Sequence, residues 1–181
     1  LLMEIIERER AETSLQKSEA RFAAFMRNLP GSAVMRDRAG RFLFANEAWE
    51  LALGRLPGES LGKTVDDLWP PEIAEKLKAL DRQVLVENRP VQAMVELPVE
   101  GETHTYLSYR FPIRNGPGDV EMIGAIGIDI TERLKAEEAR DRLIEIMEAT
   151  PDFIGSADWE GRLFYLNRAA KEMLGLGPKK T

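Results

Sequence analysis

Cysteine is absent from the 181 residues, and the only histidine is His104. The first absence excludes disulfides, thiolate nucleophiles and cysteine-ligated zinc. The second leaves no histidine cluster to hold a metal. No apolar run approaches the roughly 20 residues that span a bilayer, and no signal peptide is visible. Positive charge is in deficit: 25 Lys and Arg stand against 31 Asp and Glu, for a formal charge of −6. Phosphate binding needs clustered Lys and Arg, and no such cluster is present, so nucleic acid is not an expected partner. The expected compartment is the cytoplasm, with no direct membrane contact. The chain opens in mid-helix pattern without an initiator Met, as expected of a piece of a longer parent that could itself be membrane-anchored.

What is there is 44% hydrophobic and 31% charged, a globular balance with a polar, helix-rich surface. The chain also repeats itself. Residues 21–54 align with 142–175 without a gap. The shared residues include Pro30/Pro151, Asp37/Asp158, Gly40/Gly161, Arg41/Arg162, Asn46/Asn167 and Gly54/Gly175. These are helix-ending, turn and helix-opening positions, where local structure demands particular side chains. A second match, 7–12 with 132–137, has a different offset. The first linker is therefore longer by four residues, the size of a coiled-coil stutter.

Periodicity supplies the elements. Residues 1–29 read as one helix with a seam at Leu1, Ile5, Leu15, Phe22, Met26 and Leu29, interrupted by Arg8, Glu12 and Glu19. Two readings stay open: a parallel coiled coil, or a single amphipathic helix packed on its own domain. Pro30 and Gly31 end it. Residues 32–37 and 41–45 form a hairpin about Ala39 and Gly40. Asn46 caps a helix over 47–53. Short helical turns come next at 57–61 and 65–69, then a longer helix from Pro70 and Pro71 to Asn88. Strands are predicted at 91–99, 103–113 and 120–128, with turns at Gly101 and at 116–118. In the middle strand Leu107, Tyr109, Phe111 and Ile113 alternate with His104, Tyr106, Ser108 and Arg110. The fold class is α+β: a five-stranded antiparallel sheet with helices on one face, flanked by long coiled-coil-type helices. The expected organisation is a linker helix at 1–29, a complete domain at 30–130, a second linker helix at 131–149, and the opening part of another domain at 150–181. That opening part has too few elements for a full core, so residues beyond about 150 are expected to be poorly ordered or to borrow a partner's surface.

This order carries particular words: Asn28-Leu29-Pro30-Gly31, Asp37-Arg38-Ala39-Gly40-Arg41, Asn46-Glu47-Ala48-Trp49, Leu61-Gly62-Lys63-Thr64, Phe111-Pro112-Ile113-Arg114 and Gly127-Ile128-Asp129-Ile130-Thr131-Glu132-Arg133. In this sequence and spacing they resemble a PAS domain over about 20–133, with a second partial copy from 142. The resemblance implies a sheet cupping a small pocket, and a sensing role in histidine kinases, diguanylate cyclases or related signalling proteins. It also implies that Asp129, Thr131, Glu132 and Arg133 relay a signal from the last strand to the outgoing helix. Their spacing agrees with a capping box, Asp129 or Thr131 serving as the cap. Ordinary capping with no signalling role is the plainer alternative.

Two cofactor types of PAS domains are argued against. A photoactive flavin needs a cysteine for its adduct, and haem needs a histidine on the long helix, where residues 70–88 have none. His104 lies in the polar phase of its strand, as a surface or interface residue would. No cofactor is identified, and a noncovalent flavin has nothing in its favour. An unknown small organic ligand remains open, with candidate wall residues Trp49, Leu53, Trp69, Leu77, Leu80, Val84, Val95, Leu107, Tyr109 and Ile126. A filled core is the competing reading. Asp66 and Asp67 look like turn and cap residues, not an acid–base pair. No phosphate loop or phosphoacceptor histidine is present, so no catalytic residue is expected. The function expected is a sensor or conformational relay, homodimeric through Leu15, Phe22, Met26 and Leu29, feeding an output domain of the same parent chain. The alternative is a ligand-free dimerisation scaffold.

Overall fold

The computed structural model describes residues 2–114, 116 and 120–176, without the side chains of Leu2 and Ile5. Leu1 and the Ile5 side chain of the predicted seam, Gly118 of the last turn, and residues 177–181 of the second copy lie outside the described residues. The chain divides into two compact units, Leu1–Ile130 and Thr131–Thr181.

In the first unit, α1 (Leu2–Arg27) leads into a hairpin of β1 (Ser32–Asp37) and β2 (Phe42–Ala45). Three helices come next: α2 (Glu47–Ala52), α3 (Val65–Leu68) and α4 (Pro71–Glu87). Strands β3 (Val91–Val99), β4 (Glu102–Ile113) and β5 (Met122–Asp129) complete it. The sheet order is β2-β1-β5-β4-β3, and every pairing is antiparallel. The two chain ends of the sheet, β1 and β5, therefore lie side by side at its centre. Residues 57–61, predicted as a helical turn, form plain turns instead. The buried Glu50 carboxylate fastens this loop: it accepts from the Ser60 amide at 3.0 Å and from its hydroxyl at 2.7 Å.

Asn46 does more than open α2. Its Oδ1 accepts from Trp49 N at 3.0 Å, the cap, and from Ala33 N at 2.9 Å. Its Nδ2 donates to Gly31 O at 2.8 Å and Met26 O at 3.3 Å. One buried amide thus ties the end of α1, the start of β1 and the start of α2. The chain passes close by at Gly31, where a Cβ would stand 2.7 Å from the carbonyl oxygen of Gly127. At the hairpin, Asp37 Oδ1 accepts from Ala39 N and Arg41 N at 2.9 and 2.8 Å, while Gly40 takes φ +82°.

The core fills the concave side of the sheet. Val34, Phe42, Val95, Leu97, Tyr106 and Ala125 from the strands meet Val65, Trp69, Ala74 and Leu77 from the helical side. A second cluster joins Val84 to Val91 and Ile123.

In the second unit, α5 (Thr131–Ala149) leads to a hairpin of β6 (Gly155–Ala157) and β7 (Leu163–Leu166), then α6 (Arg168–Met173). Asn167 repeats the Asn46 arrangement: Oδ1 accepts from Ile154 N and Ala170 N, and Nδ2 donates to Met147 O and Asp152 O. Asp158 repeats the turn of Asp37, accepting from Glu160 N and Arg162 N. Its carboxyl is held below the ordinary range, chiefly by the Arg162 side chain. Phe153, Trp159, Leu163 and Phe164 are exposed. Residues 150–176 form these elements around a small buried centre of Leu166, Ala169 and Ala170.

Candidate functional site: a cup with a charged end

The concave face encloses a cavity of about 40 Å³. At about 10–15 Å³ per water, this holds a few waters. Its apolar wall includes Val34, Val95, Leu97 and Ala125 from the sheet, with Trp49, Val65 and Leu77 closing it. Its polar wall is Ser32, Arg36, Tyr106, Ser108 and Arg110.

The two arginines dominate the chemistry. Arg36 is 2% and Arg110 4% exposed, and both converge on buried Asp81 of α4. Arg36 Nη2 donates to Asp81 Oδ1 at 2.9 Å, and its Nη1 lies 2.7 Å from Oδ2. Arg110 Nη1 donates to the same Oδ1 at 2.5 Å and to Leu77 O at 3.1 Å; its Nε donates to Ser108 Oγ at 3.3 Å. Two guanidiniums share one carboxylate, which leaves one buried positive charge in excess. Burial pushes the Arg36 guanidinium down to about 10, with Arg110 adding to the effect and Asp81 opposing it. Arg36 also sits 5.4 Å from the Phe42 ring centroid, over its face. Its Nε and the Nε1 of Trp69 are buried without hydrogen-bond partners.

Beyond the triad lies an open cleft of about 180 Å³, lined in part by Arg36, Arg38, Val65, Lys78, Asp81 and Arg82. Arg36 and Val65 line both spaces, so the ion cluster stands between the inner cavity and the outside.

Of the residues expected to line the cup, Trp49, Leu77, Val95 and Ile126 lie in the cavity wall. Ile126 does so from the alternate phase, between inward Ala125 and Gly127. Leu53 and Trp69, with Trp49, border a smaller void of about 10 Å³ beside it. Leu80 packs against both hydrophobic clusters, and Val84 belongs to the second, away from the cavity.

Leu107 and Tyr109 require correction. They stand on the outer phase of β4, with Tyr109 45% exposed, while Tyr106, Ser108 and Arg110 are buried inside. Alternation alone points the apolar series inward, because burial usually selects the apolar phase. Here the outer face is itself apolar: Phe111 lies where a Cβ on Gly124 would reach it, at 2.4 Å. Ion pairing lets the polar phase be buried. Cross-strand pairing could have revealed the phase, because Val91 faces Arg110 and Val95 faces Tyr106 across the ladder. Asp81 and Arg36 escape sequence reasoning because nothing in their local sequence marks charges that find partners only across the fold.

The relay residues straddle the junction of the two units. Asp129 ends β5 and faces His104, whose Nδ1 lies 2.7 Å from its Oδ2. Thr131 begins α5 and is buried. Glu132 and Arg133 point instead to their own helix, pairing with Lys135 and Glu137. Tyr106, opposite Asp129, has its hydroxyl pushed up by burial and by that carboxylate. Of the dimer positions, Leu15 and Phe22 are exposed, Leu15 the more so. Phe22 stacks edge-on against Phe44 at 5.3 Å, and Met26 and Leu29 are half-buried, Leu29 lying past the end of α1.

Among the described residues, no group of three or more His, Asp or Glu is placed to hold a metal ion, and no helix is long and apolar enough to cross a membrane. Known proteins share the architecture. The PAS domain of BvgS from Bordetella pertussis superposes with a TM-score of 0.54 at 23% identity, over 72% of this chain and 98% of that one. The Vibrio cholerae receptor VqmA gives 0.57 at 23% identity, over 63% and 52%. In sequence, the virulence sensor protein BvgS is 25% identical over 90% of this chain, which covers 14% of its length. An uncharacterised Sinorhizobium fredii protein, y4lL, is 29% identical over 90% of this chain, which covers 21% of its own. The chain thus spans about a fifth or less of these relatives. The family model described as the PAS fold matches residues 26–135, and with sheet, cup and helices in the same order, the chain belongs to the PAS family.

Proposed function

We propose that the chain is the sensing segment of a signal-transduction protein, in which occupancy of the cup moves β5 and thereby α5. One observation carries this reading. Ala125 and Gly127 of β5 line the cavity, and the strand ends at Asp129, with the single residue Ile130 between it and the start of α5. One residue is a short path from a displaced strand to the helix that follows it. The PAS family is one of sensory modules, and BvgS, a relative, is named a virulence sensor. VqmA, a structural neighbour, has been solved bound to DPO, a precedent for ligand binding in that receptor.

In this reading the chain senses and does not catalyse. It works as a homodimer, using apolar side chains exposed on its helices, such as Leu15 and Phe25 on α1 and Leu143 and Ile146 on α5. An output domain of the parent receives the motion. Native mass spectrometry after gentle purification tests the ligand: a reproducible adduct supports sensing. Sedimentation tests the dimer, which Leu15→Glu should weaken; a monomer at all concentrations would remove this part of the reading.

The small cavity favours a second reading, a scaffold that pairs chains without a ligand. A clean apo mass, together with β5 and α5 amides indifferent to every small molecule tried, would select it.

A further inference from the structure

The cup is amphiphilic, and its charged end is out of balance. Arg36 and Arg110 lie on neighbouring inward positions of β1 and β4, across β5, and Asp81 is the carboxylate that meets both. The buried side-chain atoms left unsatisfied among the described residues, Arg36 Nε and Trp69 Nε1, are both donors. Arg36 Nε belongs to the cup, which at that point lacks an acceptor, not a donor, whereas Trp69 borders the smaller void beside it. A buried excess charge is costly unless something pairs with it.

Resting on the sensing reading, we infer that the cup takes a small organic monocarboxylate, its head on Arg36 and Arg110 and its short apolar tail against Val34, Leu77 and Val95. A carboxylate supplies the missing negative charge and only accepts hydrogen bonds, which matches a site whose unsatisfied atom, Arg36 Nε, is an N–H group. The apolar wall distinguishes this ligand from an inorganic anion, which would leave that wall unused. The volume of about 40 Å³ restricts it to a few heavy atoms. The cleft outside carries charges of both signs, Arg38, Lys78 and Arg82 beside Asp37 and Asp66, with Lys78 paired to Asp66 and Arg82 to Glu75, and Arg36 stands at the passage between the two spaces.

The test uses the full chain, with propionate, its neutral isostere propionamide, and chloride at matched ionic strength, read by calorimetric titration and thermal shift. Propionate should bind one per chain, roughly tenfold or more tighter than propionamide, and raise the melting temperature. Arg110→Met leaves a balanced Arg36–Asp81 pair and should abolish the preference; Tyr109→Ser, on the outer phase of the same strand, keeps both cations and should retain it. Equal binding of acid and amide, or chloride binding as tightly as propionate, overturns the inference. So does a preference that survives in a folded Arg110→Met protein. If that variant does not fold, the three-ligand comparison on the unaltered chain decides alone. The two readings separate cleanly. Propionamide or another neutral adduct binding in place of propionate sinks the anion but leaves the sensor. Propionate binding without changed amide exchange in β5 or α5 keeps the anion and sinks the relay.

Discussion

Asp81 holds two cations, so its loss should be felt more than the loss of either partner. Asp81→Asn preserves shape but leaves two buried guanidiniums 2% and 4% exposed without a counter-charge. Breaking a buried pair in this way costs about 3–5 kcal/mol, which urea denaturation would register. Arg36→Met should cost clearly less, since Arg110 and Asp81 remain as a neutral pair; an equal loss would contradict the excess-charge account. Asn46 is the other residue on which several segments depend. Asn46→Ala removes a cap, worth about 0.5–2 kcal/mol, and strands the Ala33 amide and the Gly31 carbonyl. The total should approach the upper end of that range or pass it, again by urea denaturation. The sequence marks Asn46 as a cap through its place before Glu47 and its echo at Asn167. It does not mark the bonds to Met26, Gly31 and Ala33, because these form only when earlier parts of the chain fold back onto the asparagine.

At the scale of elements, most of the framework was legible: β1 and β3 have the predicted bounds, and α4 begins at Pro71 as its double proline indicates. Alternation located β4 but could not assign its faces, because both phases carry large side chains. The assignment is open to measurement. Tyr109→Ser on the outer phase should leave stability within about 1 kcal/mol. Ser108→Leu, pushing bulk into the cup, should cost about 1–3 kcal/mol through overpacking. Thermal melts of the two variants in the opposite order would invert the strand. The short loop at 57–61 escapes local reading for a related reason. Its shape comes from the Glu50–Ser60 bonds, and a buried carboxylate is not visible to local propensity.

At the scale of the whole molecule, the two units differ in how much they bury. The first closes a five-stranded sheet over its core, whereas the second has a two-stranded sheet beneath exposed Trp159, Leu163 and Phe164. Two-stranded sheets are marginal by themselves. Amides of β6 and β7 should therefore exchange with solvent roughly a hundredfold or more faster than those of β1, β4 and β5. Comparable protection across both sheets would mean that the second unit draws stability from somewhere beyond its own contacts. The repeat was visible in the sequence because it falls on turns and caps. The charged cup was not, because it is assembled once, from β1, β4 and α4, with no echo in the second unit.

The twin asparagine anchors have a consequence for how such chains are put together. Each one clasps the carbonyl of a preceding helix, Met26 in one case and Met147 in the other, and so fixes the azimuth at which that rod enters its domain. A hybrid spliced upstream of the methionine would inherit the clasp intact, whereas one spliced at the proline would keep it only if the incoming rod brought a main-chain carbonyl to the same place. Exchange of these modules between proteins should therefore succeed when the seam lies inside the rod, not at the edge of the globule.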